Sequence, residues 1–228
     1  MNDILLDRKE ILKVQIYIIL ALFAVQSVIT YYYVHGVKEL YGIDYAFHVN
    51  GEANVPALFS TISILCASAV AFIAARAKSE RERYRYWQLI AAVLLFLGLD
   101  EGAQLHETFA DQLPIAAEGV FLGPWVAVYV PLVLVVAGFL GRFWIRLPLV
   151  PKIYLATGAL LYVASAIGLE MVEASVTAVV GDENFDNTWW GLLSGIEECG
   201  EMTGVAMIMQ GILAVISRSR TEVRIIFS

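Results

Sequence analysis

Eight carboxylates and one imidazole interrupt stretches of this chain that are otherwise apolar. GLDEGAQLHE carries Asp100, Glu101, His106 and Glu107. GLEMVE carries Glu170 and Glu173, and GIEECGEM carries Glu197, Glu198 and Glu201. On a helix, Asp100, Gln104 and Glu107 share one stripe, at i, i+4 and i+7. Glu170 and Glu173 share a face, as do Glu197, Glu198 and Glu201 at spacings of three and four. Glu101 and His106 point away from the first stripe. Only a kink, which Gly98 and Gly102 would permit, brings both to the others.

A carboxylate at the centre of a membrane helix costs about 2.5–3.5 kcal/mol on insertion scales. No Lys or Arg stands at the level of these acids in any span. The charge must be met by protonation, by a bound metal cation or by water. Mutually hydrogen-bonded acids could also serve only to glue helices, but eight acids exceed what gluing needs. Carboxylates with one imidazole form a hard, oxygen-rich donor set that suits Fe, Mn, Mg or Ca, and also Zn. The expected ligands of a divalent metal ion are Glu101, His106, Glu170, Glu173, Glu198 and Glu201. Asp100, Glu107 and Glu197 are expected to handle protons or orient ligands, as catalytic groups. Di-iron bundles use Glu-x-x-His on two helices, and this chain has no such motif, so the likeness is in ligand type alone. GxSxG, P-loop, HExxH and GxGxxG signatures are absent as well. Thr177, Ser194 and Thr203 flank the acids and read as backbone-bonded helix residues. His35 and His48 read as surface histidines beyond the outer span ends.

The elements that carry these residues follow from composition. Of the 228 residues, 59% are apolar and 16% charged, against about 25% charged in a soluble domain. Apolar runs near the 20 residues needed to cross a bilayer predict six transmembrane helices, at about 11–34, 55–75, 87–110, 124–145, 153–180 and 189–216. The expected fold is all-α, a polytopic helical bundle forming one domain over 1–228. Segment 110–123 is apolar enough to lie along the interface.

The basic residues predict orientation. Fourteen of the 15 Lys and Arg fall at the termini and in the loops after spans two and four, leaving only Lys38 opposite. The positive-inside rule then places both termini in the cytoplasm. Glu39, Asp44, Glu52, Asp111, Glu118, Asp182, Glu183 and Asp186 fall outside. Tyr31, Tyr32, Tyr33, Trp189 and Trp190 would mark the outer interface, and Trp87 and Trp144 the inner one. At 1.5 Å per residue, Glu101, Glu170 and Glu201 lie about 15 Å below the outer ends of their helices. Glu173, Glu197 and Glu198 lie at about 10 Å, and His106 and Glu107 at about 7 Å. Three separate placements thus converge on the outer half of the membrane. Gly191, Gly195, Gly200 and Gly204 predict close helix packing without chemistry. Cys66 and Cys199 belong to no metal or disulfide pattern and read as packed core thiols.

The function expected from this pattern is a metal-dependent membrane enzyme, an oxidoreductase or hydrolase. It would act on a lipid-like or small extracytoplasmic substrate, from the plasma (inner) membrane if the source is bacterial. A cation- or proton-coupled transporter would need polar groups along both halves of the path. The inner half offers only Thr157, Tyr162, Ser165 and Gln210, and span four is apolar throughout. A non-catalytic subunit or sensor is the third alternative. The expected partner is the lipid bilayer. A homo-oligomer or another membrane subunit is compatible, and no basic domain suggests nucleic acid.

Overall fold

A computed structural model describes residues 7–37, 39–49, 51, 53–110, 125–180 and 190–218. Apart from Ala110, the expected interfacial segment lies outside the described residues. So do Lys38, Glu52, Asp111, Glu118, Asp182, Glu183, Asp186 and Trp189, and the side chains of Glu107 and Trp190.

No strand occurs among the described residues, and six helices are long and apolar enough to cross a membrane. The first is α1 (Arg8–Val34). Asp7 caps it, its side chain accepting from Lys9 N–H at 2.8 Å, which satisfies one of the free donors at the helix start. The short α2 (Ile43–Phe47) follows, then α3 (Val55–Arg76). Asn54 caps α3 by accepting from Ala57 N–H at 3.1 Å, with Pro56 in the first turn, where it loses no helical bond. A 3-10 turn (Lys78–Arg83) leads to α4 (Tyr84–Ala103). Buried Glu80 locks that turn. It accepts from Trp87 Nε1 at 2.8 Å and from Arg83 at 2.7 Å. Trp87 is therefore fully buried in protein rather than exposed as an interface anchor, while Trp144 is exposed.

The span predicted as 87–110 is not one helix. It ends at Ala103, Gln104 takes a left-handed φ of 54°, and α5 (Leu105–Ala110) starts anew. The expected stripe of Asp100, Gln104 and Glu107 is broken there, and the bend falls at Gln104 rather than at the glycines. After it come α6 (Val126–Ile145) and α7 (Leu149–Val163). A π-helical turn (Ala164–Leu169) joins α7 to α8 (Glu170–Val180), so the fifth span is not uniform. The sixth is α9 (Trp190–Arg218).

The bundle is built around α9, more than half of whose apolar window (56%) is buried, against 11% for α6. Helices α1, α3 and α7 pack on α9, and α4 packs on α3. Glycines make the close approaches. A Cβ on Gly191 would meet Thr30, and one on Gly195 would meet Gln26 and Phe23, all on α1. A Cβ on Gly204 would lie 2.8 Å from the Gly158 carbonyl oxygen, and one on Gly200 would strike Ser165 Oγ. The two glycine pairs thus serve two different neighbours, as small residues do between membrane helices. Cys199 packs between α9 and α1, but Cys66 lies exposed on α3, contrary to its expected place in the core.

Helix α6 stands apart. It makes no extended packing with any other described helix. Phe143 holds its C-terminal end, edge-on to Trp87 and stacked on Tyr86 at centroid separations of 5.0 and 5.2 Å. Trp125 and Tyr129 hold its N-terminal end. Between these pins the chain leaves a slot.

Candidate functional site

The slot is a cavity of about 910 Å³, walled by α4, α6 and α7 and backed by α9. Its lining on α6 runs from Trp125 to Trp144, about 28 Å at 1.5 Å per residue and close to the ~30 Å hydrocarbon thickness of a bilayer. Leu132, Val133, Val136, Leu140, Ala159 and Val163 are typical of its wall, which is apolar over most of that length.

Its end beside Trp125 is different. Seven of the nine predicted site residues line it: Asp100, Glu101, His106, Glu170, Glu197, Glu198 and Glu201. Glu173 lies behind them, 7% exposed, facing the Glu197 carboxyl and accepting from Ser194 Oγ at 2.7 Å. Ser194, read from sequence as a backbone-bonded helix residue, donates to this carboxylate. Glu101, Glu170, Glu197, Glu198 and Glu201 act on one another electrostatically. Among the described residues, no Lys or Arg lines the cavity, and Oε2 of Glu197, a residue 6% exposed, has no hydrogen-bond partner.

The turn at Gln104 places His106. Beyond the break, the chain folds back so that His106 N–H donates to Asp100 Oδ1 at 2.9 Å. His106 Nδ1 lies 3.3 Å from Asp100 Oδ2, and the Tyr129 hydroxyl donates to Asp100 Oδ1 at 2.9 Å. Trp125 packs edge-on to both His106 and Tyr129. Asp100 is thus a junction of α4, α5 and α6, and it holds the His106 backbone with the imidazole beside its carboxylate. Sequence reading found no role for span four. Tyr129 could have been noticed as a hydroxyl one turn inside an apolar helix, at the same outer level as the acids. Tyr162, another lining residue, feels the charges of Glu201, Glu101, Asp100 and Glu198; it had been counted only among inner polar groups.

The donors share a cavity without being gathered about one point. Among the described residues, no three His, Cys, Asp or Glu side chains are arranged to hold a metal ion. To do so, side chains such as those of Glu101, Glu198 and Glu201 would have to rotate together.

These features define an all-helical protein with six helices suited to a membrane and one long slot ending in acids. The chain belongs to the family described as Domain of unknown function (DUF8692), whose model matches residues 14–215. Neither a curated protein nor a solved structure matches it.

Proposed function

We propose that the chain is an integral membrane enzyme with both termini in the cytoplasm, acting on a lipid-like substrate at the outer end of the α4–α6–α7 slot with help from a divalent metal ion. The observation that carries this reading is the polarity of one cavity. It is apolar for most of its length and ends in six acids and a histidine, with no Lys or Arg among the described residues that line it. An amphiphile fits such a slot lengthwise, with its tail beside α6 and its head among the acids, because ligand sites pair an apolar wall with a few convergent polar groups.

Charge, rather than a preformed cage, supports the cation. Carboxylates this close in a low-dielectric layer need a positive partner, protons or water. Glu101, Glu170, Glu198 and Glu201 would hold a metal ion, with Glu173 and His106 beside them. The metal would supply Lewis-acid or redox chemistry. The His106 imidazole beside Asp100 and the Glu197 carboxyl would move protons at the head group. A transporter has less support, because the inner lining offers no polar path among the described residues.

Elemental analysis of purified protein tests the metal. The expected result is near-stoichiometric divalent metal, lost in Glu201→Gln while the protein still inserts. Metal-free protein from metal-replete cells overturns the metal-dependent part. A Glu201→Gln variant that loses only thermal stability favours helix glue.

A further inference from the structure

The acids have two approaches. A second cavity, of about 600 Å³, lies beneath α2 between α3 and α4, lined among others by Tyr45, Asn54, Leu58, Thr61, Glu101 and Gly102. Glu101 and Ala57 line both this vestibule and the slot. Tyr45 at its rim is 88% exposed, and Asn54 and Thr61 give its wall polar groups that the slot wall lacks. Gly102 keeps the wall thin, since a Cβ there would come within 3.1 Å of Thr61 Cγ2. Beside Glu101 sits the Ser60 hydroxyl, 1% exposed and without a hydrogen bond of ordinary geometry. Among the described residues, no Lys or Arg lines the vestibule.

We propose that this vestibule is the access route and first binding site of a small hydrophilic cation, which reaches Glu101 from the aqueous side while the slot serves an apolar ligand. A carboxylate at the bottom of a concave, low-dielectric pocket focuses field lines and raises the local concentration of cations. The route also spares a charged species any passage through hydrocarbon, where its cost is several kcal/mol. A ligand at Glu101 would find the Ser60 hydroxyl within reach as a further oxygen donor. The inference rests on the proposed function only in taking the acids as the destination and the α2 side as the outer one.

Thiol accessibility in the full-length protein tests it. Cys66→Ser and Cys199→Ser remove the native thiols, and Thr61→Cys, a near-isosteric change, places a reporter in the vestibule. Leu58→Cys is the second reporter, and Tyr45→Cys reports which side the rim faces. Intact cells are treated with membrane-impermeant methanethiosulfonates, one cationic and one anionic, with rates normalised to a free thiol. The expected result is labelling of Thr61→Cys or Leu58→Cys from outside, at least about tenfold faster by the cationic reagent. Glu101→Gln is expected to bring that ratio close to one. If Tyr45→Cys reacts from outside while both vestibule thiols stay unreactive, the route is overturned. Labelling without charge preference, or a preference that survives Glu101→Gln, overturns the cation site. Labelling of all three thiols only from inside overturns the orientation but leaves the vestibule in place.

Discussion

The hydroxyl of Tyr129 ties α6 to Asp100, and Tyr129→Phe isolates its contribution. The substitution removes the 2.9 Å hydrogen bond to Asp100 Oδ1 and keeps the ring that packs on Trp125 and Phe96. A hydrogen bond to a charged group contributes about 1.5–3 kcal/mol in soluble proteins. Between membrane helices the mean is about 0.6 and the maximum about 1.7 kcal/mol. Asp100 is 6% exposed and keeps the His106 contacts when the hydroxyl goes, which favours the upper part of the membrane range, about 1–1.7 kcal/mol. For a chain of 150–250 residues, 1 kcal/mol shifts Tm by about 2–4 °C. The expected fall is thus about 2–7 °C in detergent, measured by thermal denaturation. A cycle with Asp100→Asn assigns it to the pair. If the two changes add within about 0.5 kcal/mol, they are uncoupled, and the outer pin of α6 is not this hydrogen bond.

Other perturbations reach different parts of the bundle. Gly158→Ala would place a Cβ 2.7 Å from the Gly204 carbonyl oxygen and 2.8 Å from Ile208 N; neither backbone atom can yield, so a loss of about 1–3 kcal/mol or more is expected. Gly138→Ala, with nothing within 4 Å of the added Cβ, should leave Tm unchanged, and an equal loss from both would refute the close approach. Gln26→Leu removes bonds to the Gly191 carbonyl and from Val49 N–H, at 2.9 and 3.1 Å. It should cost about 1–3 kcal/mol and speed hydrogen exchange at Val49; unchanged exchange there would count against it. At Asp44, burial acts to raise the carboxyl pKa, but hydrogen bonds from the Tyr33 hydroxyl and the Tyr45 and Leu40 amides outweigh it and hold the pKa below its ordinary 3.8. A depressed carboxylate stabilises the fold above its unfolded pKa and stops doing so as pH falls through the folded value. The outer turn should therefore hold at neutral pH and loosen only below about 3.8, and Asp44→Asn should abolish that acid response in Tyr33 fluorescence.

The helical class and span positions were legible because apolar run length is a one-dimensional signal. Expected ends at 34, 75 and 145 fall within a residue of Val34, Arg76 and Ile145. Residue count along each helix also suggested that the acids share a level, and seven of the nine site residues do line one cavity. Direction around the helix was not legible. The stripe through Asp100, Gln104 and Glu107 assumed an unbroken helix, and a left-handed Gln104 carries no strong sequence mark, because that conformation is usually left to glycine or asparagine. The π-helical turn at Ala164–Leu169 was equally silent, in a run of small and aliphatic residues. Tyr129 was missed because an apolar span average conceals one hydroxyl. Trp87 was misplaced because an indole reads as an interface anchor until its partner, Glu80, is seen.

The isolation of α6 separates two demands that most proteins must meet with the same residues. Its aromatic ends carry the attachment to the bundle, while Val133, Val136 and Ala137 shape the bore. Relatives could therefore widen or narrow the slot for a bulkier or slimmer occupant by changing the middle of one helix, with little cost to assembly.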